Sequence, residues 1–222
     1  MTERHATFGA ILLAGGRASR MGGIDKPRLV VDGVSLIDRA VAAVREIGAA
    51  PIVAVGPSPD ESDVPERPDA PGIPDAPRTA QSRADVRWVR EDPPFTGPAA
   101  AIVAALDAMP ADSDPDWMFL LACDLPRVDA AVRQLVRDIV LLPSDTAGAC
   151  LTDASSRPQW LTGAYRTRVL RTAAAALPEG GRDASIRALL ADLAIAALAD
   201  PTGSAEDIDT WADLEHFTTG GA

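Results

Sequence analysis

Two textures of hydrophobic and polar residues alternate along the chain. One is the short unbroken apolar run: residues 8–14 (FGAILLA), 51–55 (PIVAV), 86–89 and 117–122 (WMFLLA). Runs of this length, closed by turn residues, predict buried strands. The other is helical spacing. In residues 36–47 (LIDRAVAAVREI), Ile37, Val41, Val44 and Ile47 share a face, and Gly48 stops the pattern. Residues 98–109 predict an alanine-rich helix behind Gly97, and 128–141 an amphipathic one. Between the first strand and first helix, Asp32-Gly33 splits two short apolar segments and predicts a tight hairpin.

The second half continues this way. Residues 146–151 and 160–165 read as strands, 167–177 and 185–193 as helices. Residues 195–198 read as a strand or a helix tail, and 209–217 as a last helix with Asp209 suited to its N-cap. The 117–122 run is the most apolar and is expected at the sheet centre. Strands alternating with helices predict a single-domain α/β fold, a mostly parallel, Rossmann-like sheet flanked by helices. Residues 57–77 break the pattern, holding seven of the 19 prolines and six acidic residues without an aromatic. Such a segment lacks the apolar surface to order itself, so residues 57–85 read as a flexible insertion.

At 222 residues and 47% hydrophobic, the chain is long enough to bury a core without disulfides. The two cysteines, Cys123 and Cys150, lie in apolar runs and read as buried reduced thiols. No run approaches a membrane span, and the N-terminus lacks a signal-peptide pattern, so a cytoplasmic location is expected. The net charge of −11 argues against a nucleic-acid or anionic-membrane partner. Only His5 and His216 are present, so neither a histidine triad nor a multi-histidine metal site is expected.

Candidate chemistry concentrates in residues 12–29, LLAGGRASRMGGIDKPRL. A strand feeds a loop with four glycines, two arginines and Lys26. Glycine lets backbone N–H groups close on an anion, and the cations add charge at the same place. The spacing matches neither a P-loop nor a dinucleotide fingerprint. Farther along, Asp124 follows the 117–122 strand, at the strand end where open α/β sheets bind ligands. A carboxylate there suits Mg²⁺.

Leu13-Ala14-Gly15-Gly16, Arg20-Met21-Gly22 and Asp25-Lys26 together resemble the signature of the molybdenum cofactor guanylyltransferases. These are small nucleotidyltransferases related to the nucleotide-diphospho-sugar transferases. Further segments resemble the family in the same order: Asp92, Gly97-Pro98, Cys123-Asp124-Leu125-Pro126, residues 158–166, Gly181-Arg182 and Asp207-Ile208-Asp209-Thr210. The resemblance implies transfer of GMP from GTP to the terminal phosphate of molybdopterin, with release of pyrophosphate. It implies catalytic roles for Arg20, Lys26 and Asp124. Nucleotide contacts would come from Leu13, Ala14, Gly15, Gly16, Lys26, Asp92, Gly97 and Asp124. Asp124 and Asp209 would hold Mg²⁺, with Mn²⁺ as a substitute, and Arg182 would meet the acceptor. The partners implied are GTP, molybdopterin, and transiently cofactor-inserting proteins or apo-molybdoenzymes. The chain departs from the family at Ala99 and Ala101, at Val55-Gly56 where an Asn is common, and at Trp211. The first two departures bear on base recognition. A cytidylyl, sugar-phosphate or phospholactate nucleotidyltransferase and a non-catalytic cofactor carrier are the alternatives.

Overall fold

The computed structural model describes residues 6–15, 25–58 and 85–219. Nine strands, six α-helices and three short 3-10 helices occur among them. The strands are β1 (Phe8–Leu13), β2 (Val30–Val31), β3 (Val34–Ser35), β4 (Ile52–Val55), β5 (Val86–Val89), β6 (Trp117–Ala122), β7 (Gly148–Thr152), β8 (Pro158–Arg166) and β9 (Ile195–Leu198). The helices are α1 (Leu36–Glu46), α2 (Pro98–Asp107), α3 (Val128–Ile139), α4 (Thr167–Ala176), α5 (Ile186–Leu190) and α6 (Trp211–Thr219).

Seven strands form one sheet in the order β5-β4-β1-β6-β8-β7-β9. β8 pairs antiparallel with both neighbours, and the other pairings are parallel. The expected mostly parallel sheet is therefore observed, with the 117–122 run at its centre. Residues 195–198 form a strand, not a helix tail.

The unbroken apolar runs follow from two-sided burial. Alternate residues of β1 and β6 face different cores. Ala10, Leu12, Phe119 and Leu121 pack with α1 and α3, while Ile11, Met118 and Leu120 pack with α2, α4 and α5. Tyr165 is fully buried and donates from its hydroxyl to the Trp160 carbonyl at 2.7 Å. Cys123 and Cys150 are buried and form no disulfide, and burial pushes the Cys150 thiol up to about 12. The proline-rich insertion lies outside the described residues except at its edges. No helix among the described residues is long and apolar enough to cross a membrane.

The register sets the functional edge. Val89 is level with Val55, Val55 with Leu13, and Leu13 with Ala122. Four parallel strands thus end on one line, and the loops that follow them start side by side.

Candidate active site

Ala14 and Gly15 leave β1 on this line, and Cys123 and Asp124 leave β6 beside them. Cys123 N donates to the Leu13 carbonyl at 3.1 Å, and Ala14 N to the Val55 carbonyl at 2.8 Å. The strand pairing therefore runs one residue past each strand. Leu13 is half-buried, Ala14 buried and Gly15 exposed. Gly16 and Arg20, and with them most of the glycine loop, lie outside the described residues.

Gly56 fits the β4 end against this loop. Its φ is +149°, and a Cβ there would stand 2.9 Å from the Ala14 carbonyl carbon and oxygen and 3.1 Å from Gly15 N. Backbone cannot yield as a flexible side chain does. The expected cost of Gly56→Ala is about 1–3 kcal/mol from overpacking. That is a melting temperature lower by about 2–10 °C in a domain of this size. Nucleotide affinity should fall with it, and thermal melting with and without nucleotide checks both.

The centre of the site is Lys26. Its Nζ donates to Asp209 Oδ1 at 2.6 Å and lies 3.5 Å from Asp124 Oδ2. Lys26 and Asp209 come from opposite ends of the chain, and a small satellite core joins their segments. Leu29, Val31 and Leu36 of the hairpin region enclose Ile208, with Leu214 and Phe217 of α6 packed against it. Ile208 N also donates to the Asp124 carbonyl at 3.0 Å. Lys26 lies three residues before one wall of this core, and Asp207 and Asp209 flank the residue that fills it. Ile208→Ala should cost about 2–5 kcal/mol, the range for truncating a buried Ile. The loss should localise to the C-terminal segment. Hydrogen exchange over residues 200–219 should accelerate, and the divalent cation concentration needed for activity should rise.

The last helix begins differently from the expectation. Asp209 is not its N-cap. Thr210 Oγ1 accepts from Asp213 N at 3.2 Å, and the Asp213 carboxylate accepts from Thr210 N at 2.7 Å and Asp209 N at 3.0 Å. This reciprocal box satisfies the helix start and leaves the Asp209 carboxylate for Lys26. Asp124 caps no helix either, since α3 starts after Arg127. Asp25 pairs with Arg28 at 3.2 Å.

Asp207 completes the cluster. Asp124, Asp207 and Asp209 each offer a carboxylate oxygen, and these oxygens lie within 4.8 Å of one another. Burial pushes the Asp124 carboxyl above its usual range against the pull of Lys26, and Asp207 adds to the rise. Burial and then Asp209 likewise push Asp207 up. Burial opposes charge on Lys26, but the Asp209 hydrogen bond and the charges of Asp124, Asp209 and Asp207 outweigh it and hold the ammonium above its usual value. Three crowded carboxylates, two of them disfavoured when ionised, are an oxygen donor set that fits a hard divalent cation. A cavity of about 310 Å³ opens beside Asp207, lined also by Asp153, Gln159, Glu206, His216 and Phe217.

The remaining predicted residues take a second position on the edge. Asp92 is exposed on the loop after β5. Gly97 ends that loop at the start of α2, with φ +103°, and a Cβ there would stand 3.2 Å from the Ala184 carbonyl. Arg182 is exposed on the segment that makes this contact, where Asp183 N donates to the Thr96 carbonyl at 2.7 Å. Gly97 and Arg182 are thus brought near each other by loop packing, separately from the Lys26 cluster. The sequence assigned the metal to Asp124 and Asp209 and not to Asp207, and it left the spatial roles of Gly56 and Ile208 unassigned. Only the glycine standing where an Asn is common signalled Gly56.

Two solved structures share this architecture. A nucleotidyl transferase from Methanothermobacter thermautotroptrophicus superposes with a TM-score of 0.65 at 20% identity, covering 96% of this chain and 97% of that one. The 4-diphosphocytidyl-2C-methyl-D-erythritolsynthase of Anaerococcus prevotii gives 0.63 at 12% identity, covering 97% and 96%. The sheet is that of the nucleotidyltransferase fold. The chain belongs to the MobA-like NTP transferase family, whose model matches residues 10–197. It is 36% identical over 182 residues to a probable molybdenum cofactor guanylyltransferase of Synechococcus elongatus, spanning 79% of this chain and 80% of that one.

Proposed function

We propose that this protein transfers GMP from GTP to the terminal phosphate of molybdopterin, releasing pyrophosphate and forming the guanine dinucleotide. The observation that carries the reading is the Lys26 ammonium held by Asp124 and Asp209 beside the β1 loop. An acceptor phosphate oxygen attacks the α-phosphorus, the new P–O bond forms in line, and the bond to the bridging oxygen of the β-phosphate breaks. The attacking oxygen is already anionic at neutral pH, so the reaction needs positioning and charge stabilisation more than a general base.

Lys26 supplies positive charge to the triphosphate, and the resemblance assigns Arg20 and the Gly15-Gly16 amides to the same task. Asp124, Asp207 and Asp209 would hold Mg²⁺, which neutralises phosphate charge when bound. Asp92 and Gly97 are assigned to the nucleotide, and Arg182 to the acceptor. The test is pyrophosphate release with Mg²⁺ and each of the four NTPs, with and without molybdopterin. Release that requires GTP and the pterin supports the reading. Preference for CTP moves the protein to a cytidylyl activity, and nucleotide binding without release under any pairing contradicts transfer.

A further inference from the structure

The three clustered carboxylates come from two stretches of chain. Asp124 sits on the loop after β6, whereas Asp207 and Asp209 sit on the segment between β9 and α6. Their oxygens lie within 4.8 Å of one another, a range at which like charges repel. The two stretches must therefore be held together against that repulsion. Lys26 and the satellite core around Ile208 supply part of the hold.

Arg127 supplies a further part. It lies on the β6 loop, three residues after Asp124. One of its terminal nitrogens, Nη1, donates to the Thr202 carbonyl at 3.1 Å, and its guanidinium carbon stands over the Phe217 ring, 5.2 Å from the centroid. Thr202 precedes Asp207 and Asp209 in the chain, and Phe217 follows them. Arg127 thus grips the segment on both sides of the two acids. Each grip point is itself anchored. Asp200 Oδ1 accepts from Thr202 N at 3.2 Å and from the Thr202 and Ser204 hydroxyls at 3.0 Å, and Asp200 Oδ2 accepts from Ala205 N at 2.7 Å. Phe217 packs against the satellite core that Ile208 fills.

From this arrangement we infer that Arg127 is a positioning residue for the divalent cation: it holds Asp207 and Asp209 in register with Asp124 and does not itself ligate the metal. The inference rests on the Mg²⁺ site of the proposed function and gives that site a support outside the carboxylate cluster. A guanidinium suits the task, because it donates in its plane to a carbonyl while its face lies on a ring. A lysine ammonium is a point charge and does not serve both contacts as well. The sign of the effect separates positioning from simple electrostatics. Arg127 is a cation close to a cation site, so by charge alone its removal would tighten metal binding. Loss of positioning weakens it.

The experiment measures Mn²⁺ binding to the full chain by electron paramagnetic resonance, without nucleotide or acceptor and well below each variant's melting temperature. Asp124→Asn gives the background from other acidic groups. Arg127→Ala should raise the Kd for Mn²⁺ about tenfold, the low end for losing a support around metal ligands. Arg127→Lys should recover part of the affinity. Phe217→Leu keeps an apolar side chain in the satellite core and removes the ring face, so it should weaken Mn²⁺ binding too. Arg127→Ala should then cost less in Phe217→Leu than in wild type, because residues that share a contact are coupled. In turnover, the KM for Mg²⁺ should rise by more than kcat falls. A merely structural Arg127 would lower the melting temperature and leave the Mn²⁺ Kd unchanged. Wild-type binding above the background, with equal or tighter binding in Arg127→Ala, overturns this inference alone. A wild type that binds no Mn²⁺ above the background contradicts the metal site of the proposed function, and this inference falls with it.

Discussion

Asp124→Ala is expected to reduce pyrophosphate release by about 10³-fold or more, the scale of removing a group that organises charge at the reacting phosphate. The companion variant Asp124→Asn separates this effect from folding. Burial raises the Asp124 carboxyl pKa, so the ionised form disfavours the folded state at neutral pH. Lys26 keeps its hydrogen bond to Asp209 when Asp124 loses its charge. In the presence of a chelator, Asp124→Asn should therefore melt no lower than wild type at neutral pH. The sign gives the pH dependence. The penalty exists above the raised carboxyl pKa and is relieved as the pH falls through it, so any advantage of the variant should vanish in acid. Added Mg²⁺ should stabilise wild type and leave Asp124→Asn nearly unmoved. A variant that loses activity and melts far lower at every pH would make Asp124 a structural residue.

Lys26→Ala is expected to lower kcat by about 10²–10³-fold, the cost of one preorganised donor to developing charge. Its effect on stability should be opposite to that of Asp124→Asn. Without the ammonium, three carboxylates with oxygens within 4.8 Å face one another uncompensated. The chelated protein should melt lower, and added Mg²⁺ should raise the melting temperature of Lys26→Ala by more than that of wild type. The pKa of Lys26 is raised in the fold. Its contribution to stability is therefore complete below the ordinary lysine value and is lost only as the pH rises through the raised one. Across the neutral range the difference between variant and wild type should stay flat. Melting curves at several pH values, each with chelator or Mg²⁺, check this directly.

The two variants also explain which parts of the site were legible in the chain. β1, the Asp32-Gly33 hairpin, α1 and β6 are local patterns, set by side chains a few residues apart, and they form close to where their spacing predicts. Asp124 was legible for the same reason, because an acid just past an apolar strand lies at a ligand-binding edge whatever the rest of the fold does. The partnership of Lys26 with Asp209 was not, since it spans 183 positions. It depends on Ile208 filling a core made by Leu29, Val31 and Leu36, and nothing local to either residue announces it.

Asp209 also shows how a short-range rule can pick the wrong neighbour. An acid before a helix suits an N-cap, but Thr210 has Asp213 three positions on, and the reciprocal box is the better solution. The Thr-x-x-Asp spacing was present in the sequence.

The central claim is that the α-phosphorus, and not the γ-phosphorus, is the atom transferred. It is tested most directly by following radiolabel from GTP in parallel reactions with Mg²⁺ and molybdopterin. With the label on the α-phosphate, the account predicts that it appears in a pterin product while the γ-label leaves in pyrophosphate. A γ-label found on the pterin or released as inorganic phosphate, with the α-label remaining in GDP, would contradict it.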